Sequence, residues 1–209
     1  MRRSMLLVFV TTLVLSACSP TTNGTATPTG KESAPSPTSP ETGAQLPGPG
    51  VPNVDIPIDL ARFKQAPCSG LTDAQAQELV GPTVESKARP NGDAGPGCGW
   101  SPPAAARPLV YVVFGGQTNR GLTAVYEAKG KAYKFVEPLA SVDDYPLVAF
   151  GAEDERATKG HCLVAVGTSN SEVISIGLEQ SEANIGKKDP CDTAREVAIR
   201  VLATVRGAN

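Results

Sequence analysis

One imidazole, five thiols and two tight groups of carboxylates are the residues of this chain with the means to do chemistry. The imidazole is His161, which adjoins Cys162. A Ser/Cys-His-acid triad would have to run through it, yet its position at the start of an apolar run makes it a strand-edge histidine rather than a base. The carboxylates are Asp143-Asp144 and Glu153-Asp154-Glu155. Paired carboxylates can split acid and base roles, as glycosidases do, but both groups fall in polar stretches that read as solvated loops. A single histidine rules out multi-histidine metal clusters, and the spacing of a calcium loop is missing. There is no Gly-x-Ser-x-Gly elbow, no phosphate-binding loop and no dinucleotide fingerprint. With 19 Lys+Arg against 21 Asp+Glu, a binder that neutralises nucleic-acid phosphates is excluded. Lys187-Lys188 is too small to form an anionic-polymer patch. No catalytic residue, metal ligand or cofactor is assigned.

The first thiol, Cys18, has a different chemistry. Arg2 and Arg3 precede an apolar stretch from Met5 to Leu15, which is shorter than the about 20 residues that span a bilayer. Such a stretch fits a secretory signal peptide. It ends Leu15-Ser16-Ala17-Cys18, which resembles the bacterial lipobox, where the cysteine thiol receives a diacylglycerol and becomes the first residue after cleavage. Residues 1–17 are therefore expected to be a signal peptide and Cys18 the point of lipidation. Two or three acyl chains at roughly 0.8 kcal/mol per buried methylene hold a protein stably on a membrane. The expected location is the extracytoplasmic face of the cell membrane.

Residues 18–50 are expected to be this lipidated cysteine and a disordered tether. From Ser19 to Gly50 the chain has 7 Pro, 5 Gly, 4 Ser and 7 Thr, and its only apolar side chains are three alanines and Leu46. It cannot bury enough surface to offset its chain entropy. Its composition also suits an O-glycosylated stalk. Residues 51–209 then form one extracytoplasmic domain.

Cys68, Cys98, Cys162 and Cys191 remain, an even number in an exported chain, with no Cys-x-x-Cys among them. That reads as two disulfides rather than a redox pair or metal site. Four cysteines allow three pairings, of which Cys68–Cys98 with Cys162–Cys191 is favoured. Leu71-Thr72-Asp73-Ala74-Gln75 is a capping box, so Cys68 lies just before a helix that Gly81-Pro82 ends. Residues from Val84 to Gly97 read as a polar loop. Cys98 and Trp100 share one face of a strand, which makes Trp100 a core plug over the bridge.

Leu109 to Phe114 is continuously apolar and reads as a central strand covered on both faces. Leu122 to Lys129 reads as a short helix, Tyr133 and Phe135 as part of a strand, and Tyr145 to Phe150 as another. His161–Val166 and Glu172–Leu178 flank a turn-forming run and read as a hairpin. Asp189 caps a last helix with Pro190 at its first position and Gly207 at its end. Ala194, Val197, Ala198, Val201, Leu202 and Val205 make one apolar stripe on it, and Cys191 lies on that stripe. The expected fold is α+β, a mostly antiparallel sheet with helices packed on it, stapled by two disulfides.

Val51-Pro52-Asn53-Val54, Pro57-Ile58-Asp59-Leu60, Ala66-Pro67-Cys68-Ser69-Gly70-Leu71-Thr72 and Cys98-Gly99-Trp100 together resemble the actinobacterial lipoproteins grouped as the domain of unknown function 3558 family. Cys162, Asp189, Pro190 and Cys191 fall on the same pattern, and the resemblance runs from Val51 to Val205. Gly70 departs from it, since such proteins more often carry leucine there. The resemblance implies an envelope lipoprotein with an extracytoplasmic domain and brings no catalytic residues.

The expected role is a non-catalytic binding or sensor-like module. Its partners would be the membrane, through the lipid anchor, and an envelope protein or a small lipophilic ligand, but not nucleic acid. The alternatives are a carboxylate-dependent envelope hydrolase, with Asp143, Asp144, Glu153 or Glu155 in one cleft and a raised carboxyl pKa, or a purely structural envelope protein.

Overall fold

A computed structural model describes residues 45–103, 107–116 and 118–207. The signal peptide, Cys18, and the tether up to residue 44 lie outside the described residues. Seven strands form one sheet: β1 (Glu85–Arg89), β2 (Gly97–Ser101), β3 (Leu109–Phe114), β4 (Phe135–Val142), β5 (Tyr145–Gly151), β6 (His161–Gly167) and β7 (Val173–Glu179). Their order is β1-β2-β3-β7-β6-β5-β4, and every pairing is antiparallel. The sheet is thus two meanders, β1 to β3 and β4 to β7, joined edge to edge where β3 meets β7. The helices are α1 (Ala61–Gln65), α2 (Asp73–Val80), α3 (Thr123–Glu127), α4 (Arg156–Lys159) and α5 (Pro190–Arg206). The α+β expectation holds.

One face of the sheet is covered except at the edge strand β1. The seventeen residues of α5 lay Ala194, Val197, Ala198, Val201, Leu202 and Val205 against β6 and β7, all of them at 0% exposure. Asp189 caps the helix by accepting a hydrogen bond from the Cys191 amide at 2.8 Å, which satisfies one of the free N–H groups of the first turn. The Arg195 guanidinium reaches back to the carbonyls of Ala140 and Ser141 at 2.9 and 3.1 Å and so ties α5 to the outer strand β4. On the same face α1, α2 and the turn Pro67–Gly70 cover β2 and β3. The capping box is present in full: Thr72 Oγ1 accepts from the Gln75 amide, and the Gln75 side chain accepts from the Thr72 amide.

Both disulfides have the expected partners, Cys68–Cys98 and Cys162–Cys191. The first fixes the Pro67–Gly70 turn to β2, and the second pins the start of α5 to β6. Trp100 is buried on the core face of β2 beside Cys98. Gly70 has a steric reason: a Cβ there would lie 2.5 Å from Phe114 Cζ, in a ring that stacks on Phe63. Leucine at this position would displace that pair.

Three expectations are corrected. The tether expected to run to residue 50 is shorter, because the chain docks from Gly48 onward. The Gly48 amide donates to Thr123 Oγ1, the Val54 amide to Asn170 Oδ1, and the Ile58 amide to the Thr168 carbonyl. The Val84–Gly97 stretch is not all loop, because Glu85–Arg89 is strand β1. It lacks alternating hydrophobicity since it is exposed at every position, and it is held by backbone pairing to β2. Finally, β3 is not covered on both faces. Val110, Val112 and Phe114 are buried, whereas Leu109, Tyr111 and Val113 are only half-buried on the opposite face.

Candidate functional site: a trough across three strands

The second face of the sheet is covered unevenly. Over β5 and β6 it carries α3 and the chain around it, with Leu122, Val125, Val148, Ala165 and Val173 buried together. Over β1, β2 and β3, among the described residues, no helix lies on it. The pairing register says what this open part consists of. Lys87, Gly99, Tyr111 and Gly177 lie in one row across β1, β2, β3 and β7, and Arg89, Gly97 and Val113 lie in the next.

The sequence of β2, Gly97-Cys98-Gly99-Trp100-Ser101, explains the shape. Side chains alternate between faces along a strand. Cys98 and Trp100 take the core side, which leaves only two glycines and a serine pointing outward. Strand β2 is therefore a sunken floor between two strands that do carry side chains. The result is a trough of about 510 Å³, within the roughly 300–1,000 Å³ usual for small-molecule sites. Its floor is Gly97 and Gly99, one wall is Leu109, Tyr111 and Val113, and the other is Lys87 and Arg89. Gly92, Asp93, Ala94 and Gly95 close one end.

Tyr111 leans away from the floor. It lies over Gly177 of β7, where a Cβ would come within 1.9 Å of its Cζ. Only glycine lets the ring lie down on the sheet. Burial pushes the Tyr111 phenol up to about 12, with the nearby Glu179 carboxylate adding to the effect. Glu179 is itself neutralised by Arg107, whose Nε donates to it at 3.0 Å while Nη1 donates to the Lys159 carbonyl. Lys87 and Arg89 take part in no ion pair among the described residues.

The residues singled out in the sequence for acid–base chemistry are dispersed. Asp143 and Asp144 are the two central residues of the β4–β5 hairpin, at φ 47° and 69°. Both positions of such a turn demand a left-handed backbone, which Asp tolerates better than most residues. Asp143 pairs with Arg206. Glu153, Asp154 and Glu155 lie beyond the other end of β5, a strand roughly 20 Å long. Glu153 pairs with Lys134, and Asp154 with Arg156. Hydrogen bonds from Lys159 and then His161 hold Glu155 below the ordinary carboxylate range, and a hydrogen bond from Arg156 does the same for Asp154.

His161 Nδ1 lies 3.0 Å from Glu155 Oε2, beside a pocket of about 210 Å³. That pocket is lined by Phe135, Phe150 and Leu163 but by no serine or threonine, and Cys162 is committed to its disulfide. Among the described residues the imidazole has an orienting carboxylate and no nucleophile beside it. Among the described residues no three of His, Cys, Asp and Glu are grouped to hold a metal ion, and no helix is long and apolar enough to cross a membrane.

The trough was missed from the sequence, although it left a signal there. Six consecutive apolar residues in β3 permit either a strand buried on both faces or one that lines a binding surface. The Gly-x-Gly of β2 was the deciding feature, but only the register shows that it lies next to β3. The family model for a protein of unknown function (DUF3558) matches residues 13–204, and the chain belongs to that family. No curated protein and no solved structure matches.

Proposed function

We propose that this member of the DUF3558 family is an exported, lipid-anchored binding module, fastened by Cys18 to the outer side of a membrane, with the β1–β3 trough as its ligand site. The observation that carries the reading is the trough itself. A fold that could have covered this part of its sheet leaves a glycine floor between an apolar and a cationic wall. The two disulfides support the exported half of the proposal, because such bonds persist in oxidising compartments. The dispersal and neutralisation of the carboxylates support binding over hydrolysis. An anchored module searches a small volume around its attachment, which raises its effective concentration toward membrane-proximal partners.

The experiment is mass spectrometry of the unreduced protein isolated from its own cells. The proposal expects a diacylglyceryl group on Cys18 and two intact disulfides in the membrane fraction. An unmodified Cys18, with the other thiols free in a cytosolic fraction, would falsify it.

A further inference from the structure

We propose that the trough takes a single hydrocarbon chain bearing an anionic head, an acyl amphiphile drawn from the membrane, with the chain along Leu109, Tyr111 and Val113 and the head at Lys87 and Arg89. The inference rests on the trough being the ligand site, and names its ligand.

Three features select this occupant. The first is width. Strands β1 and β3 stand about 10 Å apart, two strand spacings, and the wall side chains occupy part of that gap. A helix, about 10–12 Å across, does not enter.

The second is the floor. Strand β2 is paired with β1 on one side and β3 on the other, from Gly97 to Trp100 on both. Its N–H and C=O groups are therefore spent within the sheet, and the glycines present only Cα hydrogens. An extended peptide lying there would bury its own backbone groups without partners, at a cost of roughly 1–3 kcal/mol each. A hydrocarbon chain carries no such groups.

The third is charge. The carboxylate beside the apolar wall, Glu179, is held by Arg107, and Asp93 lies in the β1–β2 connection rather than on that wall. The facing wall carries two cations at alternate positions of one strand, both on the trough side, and neither is in an ion pair among the described residues; Glu85, on the same side of that strand, lies outside the trough's lining. An occupant with an apolar chain and one anionic end complements both walls, the chain lying against β3 and the end turned to β1.

The test uses the full chain in phosphatidylcholine nanodiscs and two photoactivatable probes of equal length, a diazirine fatty acid and the matching fatty alcohol. Labelled residues are located by peptide mass spectrometry. Gly99→Leu puts a side chain on the floor at a position where its Cβ meets only ordinary contacts, at 3.7 and 3.9 Å. The paired substitution Lys87→Glu with Arg89→Glu reverses the cationic wall at exposed positions, which spares the core.

The acid is expected to label the segment Leu109–Val113 at least tenfold more than the alcohol does. The charge-reversed protein should lose that preference while its labelling by the alcohol stays level. Gly99→Leu should suppress labelling by both probes at least tenfold. Equal labelling by acid and alcohol, unchanged by charge reversal but abolished by Gly99→Leu, overturns the anionic head and leaves the trough as a ligand site. Labelling outside the trough, or indifferent to Gly99→Leu, overturns both.

Discussion

Several single residues of this chain carry a geometric duty that their chemistry disguises. Asp143 and Asp144 look like a catalytic pair and serve as a two-residue turn. Replacing them with Asn-Gly, the sequence that such turns favour, should leave the protein folded and raise its melting temperature by about 2–4 °C, as a gain of about 1 kcal/mol does in a domain of this size. The lost Asp143–Arg206 pair is exposed and contributes little. Differential scanning calorimetry reads the outcome, and a fall of several degrees would assign these carboxylates a role beyond the turn.

Tyr111 makes a second argument at this scale. Its phenol ionises near pH 10 in the unfolded chain but is pushed up to about 12 in the folded one, first by burial. The folded pKa is the higher, so its contribution to stability is complete below pH 10 and is lost as the pH rises through about 12. Urea unfolding between these values should show a decline in stability that Tyr111→Phe lessens, the remainder belonging to groups such as Tyr126, which burial also pushes up. If both proteins decline alike, the ring is not shielded as described.

At the scale of elements, legibility followed the period of the hydrophobic pattern. Helix α5 was readable because its cap, its proline and its apolar stripe all agree. The β6–β7 hairpin was readable because its strands are apolar and its turn is not. Strand β1 is invisible in the sequence, since it buries no side chain and is made by its pairing with β2. The open side of β3 was misread for the opposite reason: half-buried apolar residues look the same in a sequence as fully buried ones. No local pattern records which part of a sheet face a distant helix covers.

The disulfides act at this same scale. Cys162–Cys191 closes a separation of 29 residues, for which loop entropy gives about 3.5 kcal/mol. Replacing both cysteines by serine should lower the melting temperature by roughly 10 °C. Protection from hydrogen exchange should fall most along α5. A loss spread evenly over all seven strands would show that the bridge does not act through that helix.

For the whole molecule, the central fact is asymmetry between the two faces of one sheet. Two meanders meet at β3 and β7, and α5, α1 and α2 close one side over all but the edge strand β1. The other side is closed only above the second meander. Hydrogen exchange should accordingly rank β3, β6 and β7 as the slowest strands and β1, exposed at every residue, as the fastest. This division places the rigid part of the fold beside the trough and its most mobile wall at the outer edge, which suits a site that admits a ligand from the side.

The most direct measurement is native mass spectrometry of two proteins released gently from their own membranes, the unaltered chain and Gly99→Leu. The account predicts that the unaltered chain carries a non-covalent adduct, which Gly99→Leu lacks while keeping both disulfides and its melting temperature. The same adduct on both proteins, or none on either, would contradict the assignment of the trough as the site through which this protein acts.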